Sequence, residues 1–145
     1  MKTKMFFYLM VAVILISCTP KSDKLPQGEW KLVKCQYFNG DSLLGVLSDK
    51  EQFNQVKIWT ENYFMFVGRY KSDTTFNDYY GYGTYTLEGN KYEEQITFHR
   101  DPELMGQKLR CFMVLKNDTL FQTFPVDENW EIEKNYAIEQ YVLLK

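Results

Sequence analysis

From Gly28 to the end of the chain, apolar and polar residues alternate in short runs, broken by turn residues such as Gly89-Asn90 and Asn117-Asp118. A period of two puts every second side chain on one face and marks half-buried strands. Residues 28–38 form the first predicted strand. Their alternation changes phase around Leu32-Val33, where a bulge or strong twist is expected. Residues 39–54 are polar at both ends and enclose Leu43, Leu44, Val46 and Leu47. That pattern predicts a short capping loop or amphipathic helix after the first strand.

Residues 55–60 and 62–70 predict a hairpin across Glu61-Asn62, and residues 71–79 a polar loop. The clearest hairpin joins residues 82–88 to 91–100 at Gly89-Asn90, where a leading glycine suits a type II′ turn. Glu88 and Lys91 then flank the turn as an opposite-charge pair. A loop containing Pro102 follows. Residues 107–115 and 119–124 pair around Asn117-Asp118, residues 125–135 form an acidic loop, and residues 137–144 are the last strand. About eight strands in simple succession predict an all-β fold, a single up-and-down antiparallel β-barrel that leaves no open edge.

The segment before this domain has a different pattern. Lys2 and Lys4 precede an uncharged apolar run from Met5 to Ile16, the layout of a secretory signal and too short to span a membrane comfortably. Leu15-Ile16-Ser17-Cys18 resembles the lipobox of bacterial lipoproteins. The resemblance implies a signal peptide over residues 1–17, cleavage before Cys18, and a lipid anchor on that cysteine. Residues 18–27 then read as a lipidated cysteine and a flexible, proline-containing tether, whose nine residues after the cysteine reach roughly 30 Å. The domain proper is residues 28–145. Thr19 stands where an inner-membrane retention signal would carry aspartate, so the outer membrane is the expected location, facing the periplasm or the cell surface.

Composition narrows the function. The chain has 17 basic residues, two of them in the signal, against 19 acidic ones, so the mature protein is acidic and nucleic acid is an unsuitable partner. Aromatics make up 17% of the residues, which favours strands and a bulky interior. Cys35 and Cys111 fall in separate predicted strands and are expected to be free thiols. Lys31, Lys34, Lys57, Glu93, Arg110 and Glu139 lie within the strands. Read as outward charges, they favour a barrel in water over one embedded in lipid.

Gly28-Glu29-Trp30 resembles the Gly-x-Trp opening of lipocalins, whose tryptophan closes one barrel end. The chain further resembles the lipocalin-like domain of small Gram-negative bacterial lipoproteins. The matching segments are Gly28 to Val33, Tyr63 to Val67, and Gly83 to Asn90 with Tyr92, Glu94 and Ile96 after it. In the last strand Glu139-Gln140-Tyr141-Val142-Leu143 stands where the family tends to have Glu-x-Trp-x-Arg. Leu143 cannot supply the arginine that stacks on the tryptophan in lipocalins. The resemblance implies a lipocalin-like barrel binding a small apolar or amphipathic molecule.

The hairpin register sets Leu87 opposite Tyr92 and Tyr85 opposite Glu94. Tyr85, Leu87, Tyr92, Glu94, Ile96 and Phe98 then share one inward face. Glu94 in that apolar lining is either satisfied by a neighbour or available to a ligand's polar end. Glu94, Tyr85, Tyr92 and Phe98 are therefore the candidate ligand-binding residues. His99, the single histidine, should face solvent; it cannot build a zinc site alone, and axial haem ligation is a remote option. The tyrosines among residues 77–83 suit either a rim contact or strand packing.

No catalytic triad, phosphate loop or metal-ligand cluster is present in the sequence, and Glu93 and Glu94 point to opposite faces, so a non-enzymatic role without a cofactor is expected. The alternative to a ligand carrier is an envelope or interaction protein whose barrel is filled by its own side chains.

Overall fold

The computed structural model describes Leu25, residues 27–48 and residues 52–145. Cys18 and the predicted signal segment lie outside the described residues. The strands are β1 (Gly28–Asn39), β2 (Ser42–Ser48), β3 (Phe53–Trp59), β4 (Tyr63–Ser72), β5 (Thr75–Glu88), β6 (Lys91–His99), β7 (Lys108–Lys116), β8 (Thr119–Val126) and β9 (Ile132–Leu143), with one 3-10 turn at Pro102–Leu104. Each strand from β3 to β9 pairs antiparallel with the next, and β9 returns to pair with β1. The result is a closed eight-stranded up-and-down barrel, with β2 as an extra strand on the free edge of β1.

The phase change in β1 is a bulge. Leu32 pairs with Tyr141 and Lys34 with Gln140, so Val33 is the extra residue. It also marks where β1 changes neighbour. Gly28 to Lys31 pair with β3, whereas Lys34 to Asn39 pair with β2. The barrel wall therefore parts between the second half of β1 and the start of β3.

Three segments differ from the expectation. The described part of residues 39–54 is a strand and turns rather than a capping loop or helix. A two-residue turn at Gly40-Asp41, with Gly40 at φ +54°, sends the chain back as β2. Leu44 is extra in that pairing, since Tyr37 faces Gly45 and Phe38 faces Leu43. The bulge breaks the alternation and disguises a strand as a cap. Residues 71–79 continue the β4–β5 hairpin to a turn at Asp73, and the Arg69 and Asp78 side chains pair across it. The outer face there is solvated, so its strands carry the polar composition of a loop. The acidic loop shrinks to residues 127–131, because Asp127 Oδ1 accepts from the backbone N–H groups of Asn129 and Glu131 and tightens the turn.

The Gly89-Asn90 hairpin has the expected register, with Leu87 facing Tyr92 and Tyr85 facing Glu94, and Gly89 at φ +61°. Cys35 and Cys111 are buried free thiols.

One end of the barrel is packed solid. Trp30 and Trp59 meet edge to face at 6.4 Å, and Trp59 meets Tyr141 likewise at 5.5 Å. Phe64, Tyr92, Cys111, Met113 and Leu120 complete this core, and Leu25, three residues before β1, is buried in it as well. In β9 Leu143 lies opposite Trp30.

Close approach of β5 to β6 requires glycine at one position. A Cβ on Gly83 would lie 2.1 Å from the Gln95 carbonyl oxygen and 2.9 Å from the Phe64 ring, whereas one on Gly45 would meet nothing within 4 Å. Gly83→Ala is expected to lower the unfolding free energy by about 2 kcal/mol or more. Gly45→Ala should stay within about 0.5 kcal/mol of the parent. Urea unfolding of both variants measures the contrast, and equal midpoints would refute it.

Candidate functional site

β3 reads Phe53, Gln55, Lys57 and Trp59 on its buried face and Asn54, Val56 and Ile58 on the other. Two polar members of this strand, Gln55 and Lys57, thus point inward. Lys57 and Glu139, expected on the outside, both face the barrel interior. Hydrophobic alternation identified the strand and misassigned its faces, because inside the barrel Lys57 is satisfied by Glu94 and Gln122. Glu93 and Arg110 do lie on the outer face, joined at 2.8 Å, with Lys108 2.7 Å from the same carboxylate.

Above the aromatic core sits a polar layer. Lys57 Nζ donates to Glu94 Oε1 at 2.6 Å and to Gln122 Oε1 at 3.1 Å. Its ammonium lies 5.1 Å from the ring centres of Trp59 and Phe64, and 5.9 Å from those of Phe66 and Tyr92. Tyr92 donates to Glu94 Oε1 at 2.9 Å and accepts from Trp59 Nε1 at 2.9 Å. Gln122 Nε2 donates to the Cys111 sulfur at 3.2 Å. Burial raises the Tyr92 phenol and the Cys111 thiol well above their ordinary pKa, with the Glu94 charge adding to both shifts. Lys57 and Glu94 are 3% and 2% exposed, so their mutual attraction and hydrogen bonds must offset the loss of water. Among the described residues no buried side-chain nitrogen or oxygen lacks a partner.

One layer further from the aromatic end, Gln55 Nε2 donates to the Tyr141 hydroxyl at 2.8 Å, and Tyr141 donates to Glu139 Oε2 at 2.6 Å. Burial raises the pKa of Glu139, against the opposing pull of Lys57 and the Tyr141 hydrogen bond. Here the packing stops. An inner chamber of about 210 Å³ is walled by Lys57, Phe64, Phe66, Glu94, Ile96 and Gln122, among others. An outer cavity of about 680 Å³ is walled by Leu32, Cys35, Tyr37, Leu47, Phe53, Tyr70 and residues of the rim. Gln55, Tyr79, His99 and Glu139 line both. The outer cavity lies where β1 parts from β3. Burial, with Glu139 nearby, pushes the Cys35 thiol up to about 12, so this cysteine is no ready nucleophile.

His99 is inside because of a further bulge, in β6. Tyr82 pairs with Phe98 and Gly83 with Ile96, leaving Thr97 unpaired. The extra residue reverses the faces beyond it. Phe98, expected inside, is 54% exposed on the outer surface, and His99, expected outside, lines both chambers. The Asp101 backbone N–H donates to His99 Nδ1 at 2.9 Å.

The four candidate ligand-binding residues are thus separated. Glu94 lines the inner chamber but is engaged by Lys57 and Tyr92. Tyr92 is fully buried beneath it. Tyr85 packs on Tyr92 at 5.2 Å and donates to the Thr60 carbonyl at 2.7 Å, toward the closed end. Phe98 is outside. Of the tyrosine cluster, Tyr79 faces the cavity while Tyr80 and Tyr82 face out. Lys57, Glu139 and Gln55 were missed; polar residues two apart from aromatics, as in Gln55-x-Lys57-x-Trp59 and Glu139-x-Tyr141, are the signal that marks them. No family model matches the chain, and no curated protein or solved structure matches it either.

Removing one partner of the inner ion pair strands the other charge. Lys57→Met should cost about 3–5 kcal/mol in urea unfolding, and adding Glu94→Leu should recover part of that loss. A double variant no more stable than the single one would show that the pair is not the source of the cost.

A carboxyl with a raised folded-state pKa holds its proton more tightly when folded than unfolded, so stability falls as pH climbs from its ordinary value of 4.5 through the folded value. Glu139→Gln should remove that fall and unfold no earlier than the parent at pH 7. Thermal unfolding across pH 4–8 reads the difference, and identical profiles would contradict it.

Proposed function

We propose that this chain is an exported, lipid-anchored binding protein whose lipocalin-like barrel holds a small amphipathic molecule. The observation that carries the reading is the unfilled half of the barrel. Two adjoining spaces with aromatic walls, which share Gln55, Tyr79, His99 and Glu139, lie beside β1, and the outer one is large enough for a compact ligand. Anchoring draws its support from the signal pattern and Cys18 in the sequence. The Gly-x-Trp opening supports the lipocalin resemblance, since Trp30 is buried in the closed end. Gln55, Tyr79, His99 and Glu139 contact the ligand, and Glu94 with Lys57 forms the base beneath it.

A second reading, a barrel acting through its surface, is favoured by the outer face of β4 to β6. Tyr63 stacks on Tyr82 at 5.9 Å and Tyr80 on Phe98 at 5.7 Å, beside exposed Met65 and Val67. Native mass spectrometry of the full chain, released gently from its own membranes, separates the two. The expected spectrum shows acyl chains on Cys18 and a retained small molecule. The small molecule should disappear in His99→Trp, which fills the space both chambers share. A lipidated chain of bare mass would favour the surface reading.

A further inference from the structure

We infer that the bound molecule carries a positively charged nitrogen group, an amine or quaternary ammonium, seated against Glu139. The inference rests on the binding reading above and specifies its ligand. Two carboxylates face the interior, Glu94 and Glu139; Lys57 acts on both, but only Glu94 has it at ion-pair distance. Glu94 has Lys57 at 2.6 Å, itself ringed by four aromatic side chains. Glu139 accepts a hydrogen bond from Tyr141, and among the described residues no side-chain cation comes within ion-pair distance of it.

Aromatic side chains also line the cavity that Glu139 faces, two of them, Tyr37 and Tyr70, partly open to solvent. Tyr37, Phe53, Tyr70 and Tyr79 line the same cavity, with Tyr70 and Tyr79 edge to face at 5.6 Å. Aromatic faces attract cations, most strongly where water is excluded, and a carboxylate among them adds direct charge pairing. The layer that holds Lys57 shows the same chemistry already used by the chain on its own ammonium. The larger cavity supplies carboxylate and rings with room for a ligand's charged group.

The rim argues the other way, since Lys71 and Arg100 also line the outer cavity. Both are exposed, however, and Asp101 lies beside them. Water and salt screen charges at the mouth far more than a carboxylate on the inner wall. Depth therefore favours the cation.

Three probes of equal chain length test this on the full chain in lipid nanodiscs, by titration calorimetry with empty nanodiscs subtracted: hexyltrimethylammonium, hexanol and hexanoate. The parent should bind the ammonium about tenfold more tightly than the alcohol, and hexanoate least well. Glu139→Gln should bring the ammonium-to-alcohol ratio to parity, and Glu139→Asp should retain part of it. Tyr79→Leu provides a second variant and should reduce the ratio about fivefold. Equal binding of all three probes by the parent would overturn the cationic ligand while leaving the barrel a binder. Tighter hexanoate would overturn it in favour of Lys71 and Arg100. An unchanged ratio in folded Glu139→Gln would also overturn it. If no probe binds, the cationic ligand fails, and a bare mass in the native spectrum would remove the binding reading with it.

Discussion

The ion pair between Lys57 and Glu94 joins β3 to β6 across the middle of the barrel and, through Gln122, reaches β8. A lysine and a glutamate with almost no exposure are tolerated only together, because either one alone would lose its hydration without compensation. Tyr92 and Trp59 extend the network into the aromatic core, so the hydrogen bonds that satisfy Glu94 also orient the rings that seal the closed end. The pair thereby divides the interior. Below it side chains fill the space; above it they do not.

Three bulges shape the open half. Val33 lets β1 leave β3 for β2 and parts the wall beside the cavity. Leu44 shifts β2 against β1 near the rim. Thr97 reverses the end of β6, bringing His99 in and sending Phe98 out. Bulges add twist and re-aim side chains, and they concentrate at barrel rims for that reason. The closed end, by contrast, shows uninterrupted pairing from Gly28–Trp59 through Trp59–Phe64.

The same bulges explain what the sequence disclosed and what it hid. Where alternation is unbroken, as around Gly89-Asn90, the strand limits, the turn and the cross-strand partners followed directly from the residues. The bulge at Leu32-Val33 showed itself because it falls inside a long alternating run. The one at Thr97 did not, since Ile96, Thr97, Phe98 and His99 still alternate in polarity although the faces reverse at Thr97. Interior charges were hidden for a different reason. Lys57 and Glu139 are polar residues in amphipathic strands, and for Lys57 only the presence of a partner across the barrel makes the inner position acceptable. That partner is distant in sequence, 37 residues away for Lys57 and Glu94. Alternation therefore established strands and barrel, while the site needed knowledge of which strands face one another.

The uneven filling of the interior follows from how stability is distributed. Two tryptophans, two tyrosines and Phe64 packed at one end bury enough apolar surface to support regular strand pairing there. Given that support, the other end can hold a parted wall, bulged strands and a carboxylate whose burial raises its pKa. Such a carboxylate weakens the folded state at neutral pH, and a barrel under selection for stability alone would place an apolar or neutral residue at Glu139. Its presence beside an aromatic-lined space is a local disadvantage that the proposed cationic ligand would offset.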